Sequence, residues 1–174
     1  MAPLNLTAML AWSAAISVSD LRTRRIPNLL SLGAVMTAVL VLVAQGESAT
    51  GAAAGSALLA AGLALAFTLP AYLGGGVGAG DVKLALALAL LSDVSTLVAS
   101  FVIGSLLAGL WAVLWLAAKG STSNPSALSI QLHSMAWVNR LTAPVATKRP
   151  VPFGAALAMG FVVSLLARDI LPGI

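Results

Sequence analysis

Gly74-Gly75-Gly76-Val77-Gly78-Ala79-Gly80-Asp81-Val82-Lys83-Leu84 decides how this chain is read. Small, flexible residues end in a carboxylate, and the carboxylate opens an apolar run from Val82 to Leu91. Before the glycines lies another apolar run, about Gly51 to Leu73. A carboxylate between two such runs needs a reason. The only other acid followed closely by a cationic cluster is Asp20, in Asp20-Leu21-Arg22-Thr23-Arg24-Arg25-Ile26-Pro27-Asn28. Asp20 and Asp81 are therefore expected to work as one pair at the edge of a membrane.

The composition supports the membrane. Of 174 residues, 60% are hydrophobic and 8% charged, with mean hydropathy +1.03. A soluble domain carries roughly 25% charged residues, so this chain has too few to coat a surface facing water. Its length suits a single membrane-embedded domain, residues 1–174. There is no cysteine, which excludes disulfides and cysteine-based metal sites or nucleophiles. One histidine, His133, cannot build a zinc site without carboxylate help, and it is read as an interfacial residue. The first apolar segment has its positive charges after it, so it reads as a retained helix and not as a cleaved signal.

Runs near the roughly 20 residues that span a bilayer occur at about Leu4–Ser19, Leu29–Ala44, Gly51–Leu73, Thr96–Ala118 and Val151–Leu171. Val82–Leu91 is too short to span alone and is expected to be packed inside the bundle. The expected fold is all-α: a polytopic helix bundle of about six transmembrane helices, the fourth short. Ile26-Pro27-Asn28 restarts the chain, since proline disfavours helix before it and suits a first turn. Ser92-Asp93-Val94-Ser95 is a turn with helix-start character.

Alternating the runs puts Arg22, Arg24, Arg25, Lys83, Lys119, Arg140, Lys148 and Arg149 on one side and only Arg168 on the other. The positive-inside rule makes the basic side cytoplasmic, with both termini outside. The net charge of +4 is thereby explained by topology and anionic lipid, and nucleic acid is set aside as a partner. Glu47, Asp93 and Asp169 fall outside. The cytoplasmic side keeps only Asp20 and Asp81, each at a helix end, and a charge at the membrane is functional by default.

Two neighbouring carboxylates share a proton and titrate as a pair. The ionised member takes a proton from water, and the protonated member serves the scissile carbonyl. This chemistry needs no cofactor and no metal. The glycines let an extended peptide backbone approach. Asp81 at a helix start is assigned the base and Asp20 the acid, because the positive helix end favours charge on Asp81. Other readings stand beside this one. Gly-Ala-Gly also suits helix contacts in membranes. Asp20 is also suited to cap a helix or pair with Arg22 or Arg24. Lys83 tunes the pair, contacts lipid phosphate or marks the cytoplasmic side, and the arginines serve as topology signals.

Three motifs, in order, resemble the type IV prepilin peptidases, intramembrane aspartic proteases with a Gly-x-Gly-Asp motif. They are Asp20 with Arg24-Arg25-Ile26-Pro27-Asn28, then Gly78-Ala79-Gly80-Asp81-Val82-Lys83-Leu84, then Arg149-Pro150-Val151-Pro152-Phe153-Gly154-Ala155-Ala156. The resemblance covers nearly the whole chain. It implies that Asp20 and Asp81 are catalytic, with Gly78, Gly80, Lys83, Pro152, Phe153 and Gly154 binding substrate or supporting the site. The implied partner is a prepilin, its basic leader cut just before its hydrophobic helix, in the cytoplasmic (inner) membrane of a bacterium. Lacking the paired cysteines of the longer members, the chain resembles the short, peptidase-only form associated with Flp-type (Tad/Cpa) pili, so methyltransferase activity is not expected.

Residues 119–150 form a cytoplasmic loop. Leu128, Leu132, Met135 and Val138, with Trp137 alongside, are read as a membrane-surface helix, with a plain connector as the alternative. Two other functions compete with the peptidase: a small proton- or cation-coupled transporter, and a non-catalytic pilus assembly factor. Transport sites sit near the midplane, whereas both aspartates sit at run ends. A presenilin-like enzyme would place its first aspartate after a tyrosine, and Ser19 precedes Asp20 here.

Overall fold

The computed structural model describes residues 3–119 and 151–170. The expectations for the 120–150 segment and His133 lie outside these residues. Six helices run in order: α1 (Pro3–Thr23), α2 (Asn28–Gln45), α3 (Ala54–Leu73), α4 (Ala79–Leu91), α5 (Val94–Lys119) and α6 (Phe153–Ile170). All but α4 are long and apolar enough to cross a membrane. The fold is an all-helical membrane bundle, and α4 is short and buried as its sequence predicts.

With 13 residues, α4 is about 20 Å long at 1.5 Å per residue, short of the roughly 30 Å hydrocarbon core. Beyond Asp81 and Lys83 it is apolar all round, the pattern of a helix enclosed by others, and Leu84, Ala85, Ala87, Leu88, Ala89, Leu90 and Leu91 are buried. Helices α2, α3, α5 and α6 all pack against it, and α1 joins the bundle through α6. On α3, Ala57, Ala60, Ala61, Ala64 and Thr68 recur at helical spacing and are buried, the face that serves the α3–α4 contact. Lipid is as apolar as leucine, so such contacts are stabilised by close backbone approach across small residues. The same device joins α5 to α6: a Cβ at Gly160 would strike the Ser100 carbonyl and come within 2.8 Å of the Gly104 nitrogen.

The glycine run closes α3. The N–H groups of Gly74 and Gly76 donate to the Pro70 and Ala71 carbonyls at 2.9 Å, and Gly75 donates to Tyr72. They satisfy carbonyls that a helix end otherwise leaves orphaned. Gly75 has φ 76°, a conformation that favours glycine.

Contacts sort the bundle into two ends. At one, Asn5 donates to the Ala49 carbonyl, Thr50 N–H to the Leu91 carbonyl, and Arg168 pairs with Asp93. At the other stand Asp20, Ile26, Asn28, Asp81, Lys83 and Gly154. This is the sorting that alternation of the runs predicts.

Candidate active site

Asp20 lies one turn before the end of α1, inside the helix, and is 5% exposed. Its Oδ2 accepts the Ala155 N–H at 2.8 Å. Ala155 is in the first turn of α6, where backbone N–H groups lack partners within the helix. Asp20 therefore does cap a helix, as one sequence reading allowed, and the helix is α6. Asp81 is the third residue of α4 and half-buried. Its Oδ2 accepts the N–H of Gly78, the residue before the helix, at 2.9 Å, one half of a capping box. The helix-end argument that singled out Asp81 now applies to both carboxylates.

Gly154 brings the two acids together. A Cβ placed on it would lie 3.1 Å from Asp81 Oδ1 and 3.2 Å from Asp20 Oδ2. The two oxygens are therefore no farther apart than those two distances laid end to end. The same Cβ would fall 2.6 Å from Ile26 Cδ1, inside van der Waals contact. Any side chain at 154 would push into both acids and the isoleucine, so glycine is a condition of their convergence.

Ile26 is wedged between the motifs. A Cβ on Gly80 would sit 3.4 Å from Ile26 Cβ, so Gly80 lets α4 approach the chain between α1 and α2. Pro152 is buried, and its carbonyl accepts the Ala156 N–H at 3.1 Å, starting α6. Phe153 packs against the core. Lys83 Nζ donates to Asn28 Oδ1 at 3.0 Å, joining the second motif to the Pro27-Asn28 turn. All eight residues singled out in the sequence thus lie at one end of the bundle, and Asp20, Asp81 and Gly154 meet. Sequence reasoning missed the Ala155 N–H, a backbone group with no side-chain signal, and Trp111, whose ring lies 5.6 Å from the Arg24 guanidinium. Among the described residues no cluster of histidine, cysteine or acidic side chains is suited to hold a metal ion.

Residues 7–113 match the model of the type IV leader peptidase family. The match spans most of the chain and includes Asp20 and the glycine–aspartate motif, and the chain belongs to this family. It is a protease and a multi-pass membrane protein. Comparison with curated proteins and with solved structures gives no match.

Proposed function

We propose that the chain is an intramembrane aspartic endopeptidase that removes the basic leader of Flp-type prepilins, with Asp20 and Asp81 as its catalytic pair. One observation carries this reading: both carboxylates converge on Gly154 from helices 61 residues apart in the chain. Each carboxylate also caps a helix, but capping by itself does not require the two acids to meet. The family match supports a leader peptidase, and the basic residues around the site support a cytoplasmic face with both termini outside.

In the reaction, the ionised aspartate takes a proton from a water molecule. The water oxygen attacks the scissile carbonyl carbon while the protonated aspartate gives its proton to the carbonyl oxygen. The tetrahedral intermediate then collapses: its nitrogen takes a proton from the carboxyl now holding one, the C–N bond breaks, and one of its two hydroxyls returns a proton to the other aspartate. This restores the singly protonated pair and frees the leader with a new carboxyl group. The proton is shared, so base and acid belong to the pair and not to one residue. Gly78 and Gly80 leave room for an extended substrate chain beside Asp81. Lys83, Pro152, Phe153 and Gly154 support the site, and no nucleic acid, metal or cofactor enters the scheme.

The test is co-expression with prepilins encoded nearby, comparing wild type with Asp20→Asn and Asp81→Asn by the size of the pilin band. Leader removal by wild type, and retention in each variant at normal membrane level, is the expected result. If either variant cleaves like wild type, that aspartate is structural and the mechanism fails.

A further inference from the structure

Three buried N–H groups near Asp20 have no acceptor among the described residues: Nε and Nη1 of Arg24 and Nε1 of Trp111. The Arg24 guanidinium lies over the Trp111 ring, 5.6 Å from its centre, in cation–π range. The three donors therefore belong to one spot, built from the α1–α2 turn and α5. Buried polar groups are nearly always paired, so three orphans together mark a place where something else supplies acceptors.

Topology does not require this burial. Arg22 and Arg25 are exposed and suffice as positive-inside signals, whereas Arg24 is half-buried. Its backbone is fixed at φ 52°, the one non-glycine residue with positive φ among those described, a conformation that is disfavoured for a side chain of this size. Arg24 N–H donates to the Asp20 carbonyl at 2.9 Å, and Ser19 and Thr23 hydroxyls donate to the Arg25 carbonyl. This turn hands the guanidinium to Trp111 and keeps it within electrostatic reach of Asp20. Strained, rigid and left with unused donors, it has the features of a ligand clamp.

We infer that Arg24 and Trp111 form a substrate subsite that takes oxygen acceptors of the leader-bearing peptide beside Asp20. The inference rests on the catalytic reading of Asp20. A peptide bond within reach of that carboxylate brings main-chain carbonyls on either side of it, and Arg24 and Trp111 offer buried donors that no described residue uses. An acidic side chain near the cut presents the same oxygen chemistry. Arg24 then sets affinity and register and does not transfer protons.

The test uses the full-length protein reconstituted in vesicles of mixed zwitterionic and anionic lipid, with a prepilin that wild type cleaves. Arg24→Gln is expected to raise KM about tenfold or more with kcat within about twofold, the pattern of lost binding. Arg24→Lys, which keeps the charge and loses the guanidinium fork, recovers only part of the loss. Trp111→Phe keeps a ring under Arg24 and removes only Nε1–H. It is expected to raise KM by less, with unchanged thermal stability, and it decides the matter if Arg24→Gln does not fold. Changing acidic side chains near the cut to amides identifies the acceptor: the Arg24→Gln penalty disappears if a carboxylate is held and persists if carbonyls are. Unchanged KM in both enzyme variants overturns the inference. So does an effect that appears only as a changed response to anionic lipid, which would assign the donors to a headgroup. If wild type itself cleaves no prepilin, the catalytic reading is what fails.

Discussion

Asp20 and Ala155 are 135 residues apart in sequence and joined by a 2.8 Å hydrogen bond from the Ala155 N–H to the carboxylate. A carboxylate expected to do chemistry also starts a helix. The two duties separate by substitution. Asp20→Asn keeps an oxygen for Ala155, so the protein should accumulate and melt near wild type while cleavage falls by about 10²–10⁴-fold. Asp20→Ala removes the acceptor and should lower stability further, by about 1–3 kcal/mol. Thermal unfolding of both variants in one detergent checks this, and equal melting would show the bond to be idle.

Gly154→Ala adds one methyl group where Ile26, Asp20 and Asp81 already converge. Ile26 can rotate, but the two acids must then part by a few tenths of an ångström or more. Misplacement of reacting groups on the scale of 1 Å costs about a hundredfold in rate, so a loss of up to that size is expected, with the protein still in the membrane. Wild-type cleavage rates in Gly154→Ala would dissociate the acids' approach from catalysis.

Gly160 faces the Ser100 carbonyl and Gly104 across the α5–α6 contact, away from the acids. Gly160→Ala should act on stability, by about 1–3 kcal/mol as overpacking usually does. The drop should appear as a lower melting temperature, and the enzyme that remains folded should keep its KM.

At the opposite end, Asp93 pairs with Arg168 and caps α5 through the Thr96 N–H at 2.8 Å. Burial pushes its carboxyl up, but bonds from the Thr96 N–H and hydroxyl and the Ser95 hydroxyl, with the charge of Arg168, outweigh it and hold it below the usual carboxylate range. A depressed carboxylate stabilises the fold above its unfolded pKa, and the contribution is lost as pH falls through the folded one. Wild type should therefore lose stability below the ordinary carboxylate range. Asp93→Asn should be less stable at neutral pH and should show less of that acid loss. Parallel pH–melting curves for the two proteins would refute it.

How much of this was legible in advance follows from which forces act locally. Bilayer length and apolar composition gave the five long helices, and a run of ten residues behind Asp81, apolar but for Lys83, gave the short α4. The approach of Asp20 to Asp81 at Gly154 was legible because charge is scarce in this chain. The exact limits were not: α1 runs to Thr23, past Ser19, because the Asp20 carbonyl still receives the Arg24 N–H. Ile26 looked like part of a chain restart, and only packing shows it wedged between Gly80 and Gly154. Arg24 looked like one topology signal among three. Its burial against Trp111 depends on a left-handed turn that no periodicity announces.

Gly154 and Ala155 stand near the start of the last helix, and this has a consequence for biosynthesis. A chain still on the ribosome, with α1 to α5 already threaded into the lipid, holds both aspartates but neither the glycine on which they converge nor the N–H that Asp20 accepts. On the proposed mechanism, proteolytic competence arrives with the final segment. A protein stopped after residue 150 should sit in the membrane inert, and supplying residues 151–174 as a separate peptide is the way to ask whether the missing piece can be returned in trans.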